Sequence, residues 1–312
     1  MRADLHVHSN ASDGTDPPAE VMRRAALAGL DVVALTDHDT VAGHAQARQA
    51  LPGALILVPG MELSGRLDDP ARGEPDRGVP GGSSPRGQPD RGVPGGSSPR
   101  GQQSLHLLAY LFDPDDPELA TETRRIRDDR VLRARAMVDR LIDLGVPISW
   151  EDVAAVAGTA VVGRPHIARA MAASGAIASP EQAFTPDWIA DGGRAYVGRY
   201  ALDPVRAIAL VRSAGGVAVL AHPRADRALL VSDAQIAELA AAGLAGVEVF
   251  HPDQPDPASL LGLTRDLGLI ATGGSDDHGS LTGHRIGSHI AAADAYERLI
   301  AQATGAKPIQ GG

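Results

Sequence analysis

Seven short apolar or β-branched runs recur along the chain, each followed by a turn signal: residues 5–8, 32–36, 55–59, 105–112, 217–221, 247–250 and 269–272. Between several of them apolar residues repeat at helical spacing. Residues 18–30 carry Ala, Val, Met and Leu in that rhythm and stop at Gly29, while 207–214 and 233–242 end at Gly215 and Gly243. Short strands alternating with amphipathic helices predict a parallel α/β sheet or barrel.

Two stretches break the rhythm. The segment PDRGVPGGSSPRGQ at 75–88 is repeated without change at 89–102. Pro, Gly, Ser and Arg offer too little apolar surface to offset the entropy of ordering, so a flexible surface loop is expected, with an arginine-rich tether for a polyanion as the functional alternative. The second stretch spans 114–199. Its pattern predicts a long arginine-rich helix at 118–144, shorter helices at 150–158, 165–174 and 180–192, and no strand before 195–197. The expected organisation is therefore one α/β domain, built from residues 1–113 and 200–312, with a helical insertion at 114–199 forming a cap over one end.

Chemistry-bearing residues sit at the ends of the predicted strands. Asp4, His6 and His8 form DLHVH, and alternate strand side chains share a face, so the two imidazoles project together with Asp4 behind them. Asp13 follows in the loop. Asp37 and His38 close the second strand as TDHD, and Glu62 follows the third in PGMEL. His106 lies in SLHLLAY, His222 in LAHP, and Asp276 and His278 in GGSDDHG. A parallel barrel gathers such strand-end loops on one face. His44, His284 and His289 lack this context and are expected at the surface. Nitrogen and carboxylate ligands without sulfur suit zinc, manganese or iron. Nine ligands exceed what one ion takes, so two or three divalent ions are expected, with Glu62 bridging. Such a cluster neutralises phosphate charge and makes hydroxide available near neutral pH.

Composition narrows the alternatives. The chain of 312 residues carries a net charge of −10 and no cysteine, which excludes thiolate catalysis and cysteine-based zinc sites and argues against a general nucleic-acid-coating surface. Its one lysine, Lys307, is poorly placed for a phosphate-binding P-loop, a Schiff base or a lysine-bridged metal pair. No signal-like segment or long apolar run occurs, so a soluble, cytoplasmic protein without a membrane partner is expected.

Taken in order, HxH at His6 and His8, TDH at 36–38, Glu62, His106, HP at 222–223 and DxH at 276–278 resemble the PHP (polymerase and histidinol phosphatase) family. The resemblance implies a distorted (β/α)7 barrel. It also implies three metal sites: His6, His8, Glu62 and Asp276; Glu62, His106 and His222; and Asp13, His38 and His278. Within the family the chain is similar to the TrpH-type branch, in the helical insertion, an RxxR helix at Arg130 and Arg133, the GRPHIA segment at 163–168, and VEVFHP at 247–252. The resemblance to this branch implies phosphatase activity on 3′,5′-nucleoside bisphosphates and trimming of short RNA from its 5′ end.

Arg130, Arg133 and Arg164 are suited to clamp phosphate, and His166 and His251 to contact phosphate or protonate a leaving oxygen. With Asp13, these two histidines are the candidate catalytic groups. A solvated helix face, interleaved with Asp128, Asp129 and Asp139, is the alternative for the arginines. The expected function is hydrolysis of a phosphate ester on a small nucleotide or short RNA by a monomer or small homo-oligomer that does not bind double-stranded DNA. The competing readings are a histidinol-phosphate phosphatase, a proofreading nuclease, for which no polymerase module is present, and a non-catalytic metal-binding regulatory domain, which missing ligands would favour.

Overall fold

The computed structural model describes residues 1–68, 102–158, 160–225 and 231–311. The 75–102 repeat lies outside these residues except for Gln102. Strands β1 (Ala3–Val7), β2 (Val32–Leu35), β3 (Ile56–Asp68), β4 (Gln102–Tyr110), β5 (Val217–Leu220), β6 (Gly246–Phe250) and β7 (Ile270–Gly273) form one sheet in chain order. The sheet nearly closes: Val7 bridges Asp277, and His8 N–H donates to the Asp277 carbonyl at 2.9 Å. Closure needs backbone to pass close to backbone. A Cβ on Gly274 would stand 2.3 Å from the His6 Cβ, so only glycine fits there.

The expected mixed α/β barrel is present, with one correction to strand direction. β4 runs antiparallel to both β3 and β5, whereas every other pair along the seven-stranded path is parallel. The β3–β4 ribbon pairs over nine residue positions and carries Glu62 opposite Leu108, and His106 opposite Ser64. An apolar run carries no information about direction, so the alternation of strands could not reveal this. A short β8 (Ile309–Gln310), also unforeseen, pairs antiparallel with β3.

Helices α1 (Pro18–Leu27) and α2 (His44–Gln49) flank β2, and α6 (Pro204–Ser213), α7 (Asp233–Ala241), α8 (Pro257–Asp266) and α9 (Ala295–Gln302) cover the later strands. α1 shows the local logic: Pro18 starts it, and Val21, Met22 and Ala25 make the buried face. His44 corrects an expectation. It is half-buried, with Nε2 2.8 Å from the Gly60 carbonyl oxygen, and tethers α2 to the start of the β3 extension.

Between β4 and α6 lie α3 (Pro117–Asp143), α4 (Trp150–Ala157) and α5 (Arg164–Ala173). Asp116 caps α3 by accepting from Leu119 N–H at 2.9 Å. α3 serves two cores. Leu119 and Ile126 join the barrel core, while Ala134, Met137, Val138 and Leu141 join a separate cluster drawn wholly from residues 134–197. Two local expectations fail here. Only a 3-10 turn at Pro180–Ala183 forms within 180–192, and 195–197 is not a strand. Both segments satisfy backbone groups through turns, for example Ala195 N–H to the Trp188 carbonyl at 2.9 Å. Among the described residues no helix is long and apolar enough to cross a membrane.

Candidate metal centre and phosphate cavity

β1 delivers His6 and His8 to one point because their positions alternate across the strand. The two Nε2 atoms lie 3.0 Å apart. Glu62 Oε2 is 3.2 Å from the first and 3.1 Å from the second, and Asp276 Oδ1 is 3.3 Å from each. A tetrahedral metal site with bonds of about 2.0–2.1 Å has ligand–ligand edges of about 3.3–3.4 Å, so these four atoms already approximate that arrangement. All four residues are buried or nearly so.

The other carboxylate oxygen of Glu62, Oε1, lies 2.7 Å from His106 Nδ1 and 3.1 Å from His222 Nε2, while Oε2 is 3.2 Å from His38 Nδ1. Beyond His38, Asp13 Oδ1 is 3.3 Å from His278 Nε2. The structure therefore brings all nine candidate ligands into one continuous cluster. It groups them less cleanly than three separate sets: His8 also joins Asp13, His38 and His278, and His222 also joins His6 and Glu248.

Hydrogen bonds at the far ring nitrogens fix which nitrogen can ligate. His6 Nδ1 meets Glu248 Oε1 at 3.0 Å, and His278 Nδ1 meets the Asp276 carbonyl at 3.1 Å. Each oxygen accepts from Nδ1–H, so that in the neutral ring the lone pair is on Nε2, facing the cluster. Asp276 and His222 themselves stand at φ 48 and φ 26, and Asp39 beside the site at φ 52. Left-handed backbone at non-glycine residues costs about 1–3 kcal/mol each and clusters here, where strand ends must turn side chains inward.

Charge is intensely coupled in the cluster. Burial alone would lower His6, but Glu248, Asp276 and Glu62 outweigh it and hold the ring well above its usual range. His8 is opposed by burial in the same way, yet Asp276 and Glu62 push it up to about 10. For His38 burial wins, over the charges of Glu62 and Asp13, and takes it down to about 3. Burial works against ionisation of Glu62, Asp276 and Asp13, but the surrounding imidazoles keep all three well below the carboxylate range. Asp13 Oδ1 and His38 Nδ1 are buried without a hydrogen-bond partner among the described residues. A nest of buried imidazoles and ionised carboxylates, two of whose atoms lack a hydrogen bond, fits divalent cations that take the place of the ring protons, and the donor set contains no sulfur.

A cavity of about 300 Å³ adjoins the cluster, lined by Asp13, His38, His106 and His222 together with Arg130, Arg133, Arg164 and Arg199. The four arginines differ. Arg130 is paired with Asp39 and Arg164 with Asp191, both at 2.6 Å. Arg133 donates to the Val197 carbonyl at 2.7 Å, and Arg199 donates to Ser104 Oγ. Neither Arg133 nor Arg199 has a carboxylate partner among the described residues. Burial, then the neighbouring guanidiniums, bring Arg133 down to about 9, and burial and Arg130 bring Arg199 down to about 10.

His166 and His251 take unexpected positions. His166 lies outside the arginine-lined cavity, with Nδ1 accepting from Gly163 N–H at 3.0 Å. His251 Nδ1 accepts from Asp253 N–H at 3.1 Å, which puts its proton on Nε2, 3.3 Å from Asp276 Oδ2. Three participants escaped the sequence reading. Glu248 was detectable as a lone charge inside the apolar run VEVF. Asp39 adjoins the TDH motif, but its value lies in a contact with Arg130, ninety-one positions away. Arg199 carried no signal, because nothing in its neighbourhood distinguishes a buried arginine from a solvated one.

Residues 4–74 match the sequence model of the PHP domain. A 3′,5′-nucleoside bisphosphate phosphatase from Chromobacterium violaceum is 30% identical over 92% of this chain and 90% of its own length. The chain belongs to the PHP family. A 5′-3′ exoribonuclease from Haemophilus influenzae is also 30% identical, over 70% of this chain and 68% of its own length. In structure, a Bifidobacterium adolescentis protein described as a metal-dependent phosphoesterase superposes with a TM-score of 0.75 at 30% identity, covering 97% of this chain and 96% of that one. The chain is thus a PHP-family phosphoesterase, a hydrolase of phosphate esters, and its histidine–carboxylate cluster is able to hold divalent metal.

Proposed function

We propose that this phosphoesterase removes phosphate from a nucleotide that carries a second phosphate, the 3′,5′-nucleoside bisphosphate class. The observation that carries this reading is a pair of guanidiniums, Arg133 buried and Arg199 half-buried, neither with a carboxylate partner among the described residues, in the same cavity as His38, His106 and His222. A buried guanidinium without a counter-ion is costly, and a second phosphate relieves that cost. Histidinol phosphate would instead present a cationic amine to this wall. Residues 114–199 then act as the cap that supplies most of the wall, with Arg199 at its edge.

His6, His8, Glu62 and Asp276 would hold one cation. Glu62 would bridge to a second through His106 and His222, and Asp13, His38 and His278 would hold a third, the ions being manganese, iron or zinc. When bound, such ions neutralise phosphate oxygens and lower the pKa of water at the site. The chain's own groups do the positioning. Glu248 fixes the His6 tautomer, the Asp276 carbonyl fixes that of His278, and the His251 Nε2 proton holds the second oxygen of Asp276. His251 is thereby a positioning residue. Arg133 and Arg199 orient the non-reacting phosphate, so the scissile one lies against the cluster.

Replacing Arg133 or Arg199 by Met should lower kcat/KM for a 3′,5′-nucleoside bisphosphate by about ten- to a hundredfold, and that for p-nitrophenyl phosphate far less. Arg164→Ala, whose arginine is already paired with Asp191, should show a smaller loss than either. Equal losses on both substrates would mean that the wall supports the fold rather than a second phosphate.

A further inference from the structure

The first turn of α5 separates two cavities. Arg164 and Pro165 face the arginine-lined one. His166 and Arg169, one helical turn apart, line another of about 340 Å³, whose other walls include Asn10, Ser12, Thr15 and Ala160. The two cavities meet the same loop from different directions: Asp13 lines the first, and its chain neighbours Ser12 and Gly14 line the second.

The second cavity is chemically distinctive. His166 is 1% exposed, and its Nδ1 is already occupied as an acceptor from Gly163 N–H. A neutral ring then carries its proton on Nε2, for which the described residues provide no partner. Arg169 Nε is likewise buried without a partner among the described residues. Among the described residues the lining contains no carboxylate and no aromatic ring on which a base could stack besides the imidazole itself. One buried donor without a partner, on a cation, and a second donor free of protein partners among the described residues, in a polar cleft beside the candidate metal cluster, suit a small oxyanion and suit a nucleoside poorly.

We propose that this cavity is a second oxyanion subsite, which takes up inorganic phosphate released at the cluster while the nucleoside product still occupies the arginine-lined cavity. The proposal rests on the phosphatase reading of the main site, but on no particular nucleotide. Hydrolysis leaves two products at one centre, and the cavity gives the smaller one a seat away from the mouth the larger one fills. Arg169 is the principal anion contact and His166 Nε2–H the second.

The test uses the metal-replete full chain, p-nitrophenyl phosphate as reporter substrate and inorganic phosphate as inhibitor. Phosphate on the metal cluster competes with substrate and raises apparent KM. Phosphate in the second cavity binds alongside substrate and lowers apparent kcat. The wild type should therefore show mixed inhibition. Arg169→Gln should weaken the effect on kcat by about tenfold or more and leave the competitive component in place. Ala160→Leu, which fills the cavity without altering charge, should do the same and decides the matter if Arg169→Gln fails to fold. Purely competitive inhibition of the wild type, or an unaltered kcat effect in the folded variants, would overturn the proposal. Because the reporter is not a nucleotide, failure of the bisphosphate reading leaves this result separately interpretable.

Discussion

Arg130 Nη2 lies 2.6 Å from Asp39 Oδ2, joining α3 to the loop that follows β2 across an interface where both side chains are largely buried. Asp39 also accepts from Ser64 N–H at 2.7 Å and Ser64 Oγ at 2.8 Å, so its carboxylate is fully engaged. Removing the carboxylate leaves a guanidinium buried and unpaired, which costs about 3–5 kcal/mol. Asp39→Ala should lose that much stability in urea unfolding. Asp39→Asn, which retains hydrogen bonding and tolerates the left-handed backbone at φ 52, should lose clearly less. Equal losses would show that charge pairing contributes little to this joint.

Glu248 meets His6 at Nδ1, the ring nitrogen opposite the one that faces His8, and accepts from His222 N–H at 2.9 Å. Carboxylates in this position orient ligands, and their loss commonly weakens metal affinity about 10- to 100-fold. Glu248→Gln should keep its fold and show that loss in metal titrations of the chelated protein. Unchanged affinity would show that His6 is held by packing alone.

His166 offers a pH test. Burial, reinforced by the charge of Arg169, lowers it from the usual histidine value to about 4. The folded state thus keeps it neutral while the unfolded chain protonates near pH 6.5. Its stabilising contribution is present above pH 6.5 and is lost as pH falls from there to about 4, amounting to about 3 kcal/mol. His166→Gln should flatten this segment of the stability–pH curve relative to the wild type. Parallel curves for the two proteins would contradict a buried neutral imidazole.

Much of the candidate site was legible because most of its residues stand in or just after short apolar runs, where the run gives the strand and the polar residue gives the chemistry; Glu62 and His106 instead lie within the longer β3 and β4. His6 and His8 show this most plainly, since strand alternation alone places them together. What escaped depended on contacts between distant segments. The reversed direction of β4 follows from pairing over nine positions with β3, which no local pattern encodes. His44 lacked the strand-end context of the ligands, yet its ring reaches backbone carbonyls of two strands. The arginine wall shows both sides. The RxxR spacing pointed to Arg130 and Arg133, but only the fold distinguishes the one neutralised by Asp39 from the one that has no carboxylate partner among the described residues.

The central claim, that the buried histidine–carboxylate cluster is a divalent metal centre for phosphate ester hydrolysis, is tested most directly by counting metal and activity in the same samples. Elemental analysis of the purified chain should find about two to three equivalents of manganese, iron or zinc. Phosphate release from a 3′,5′-nucleoside bisphosphate should vanish on chelation and return when one of these ions is restored. Undiminished release from a preparation shown to be free of metal would contradict the account.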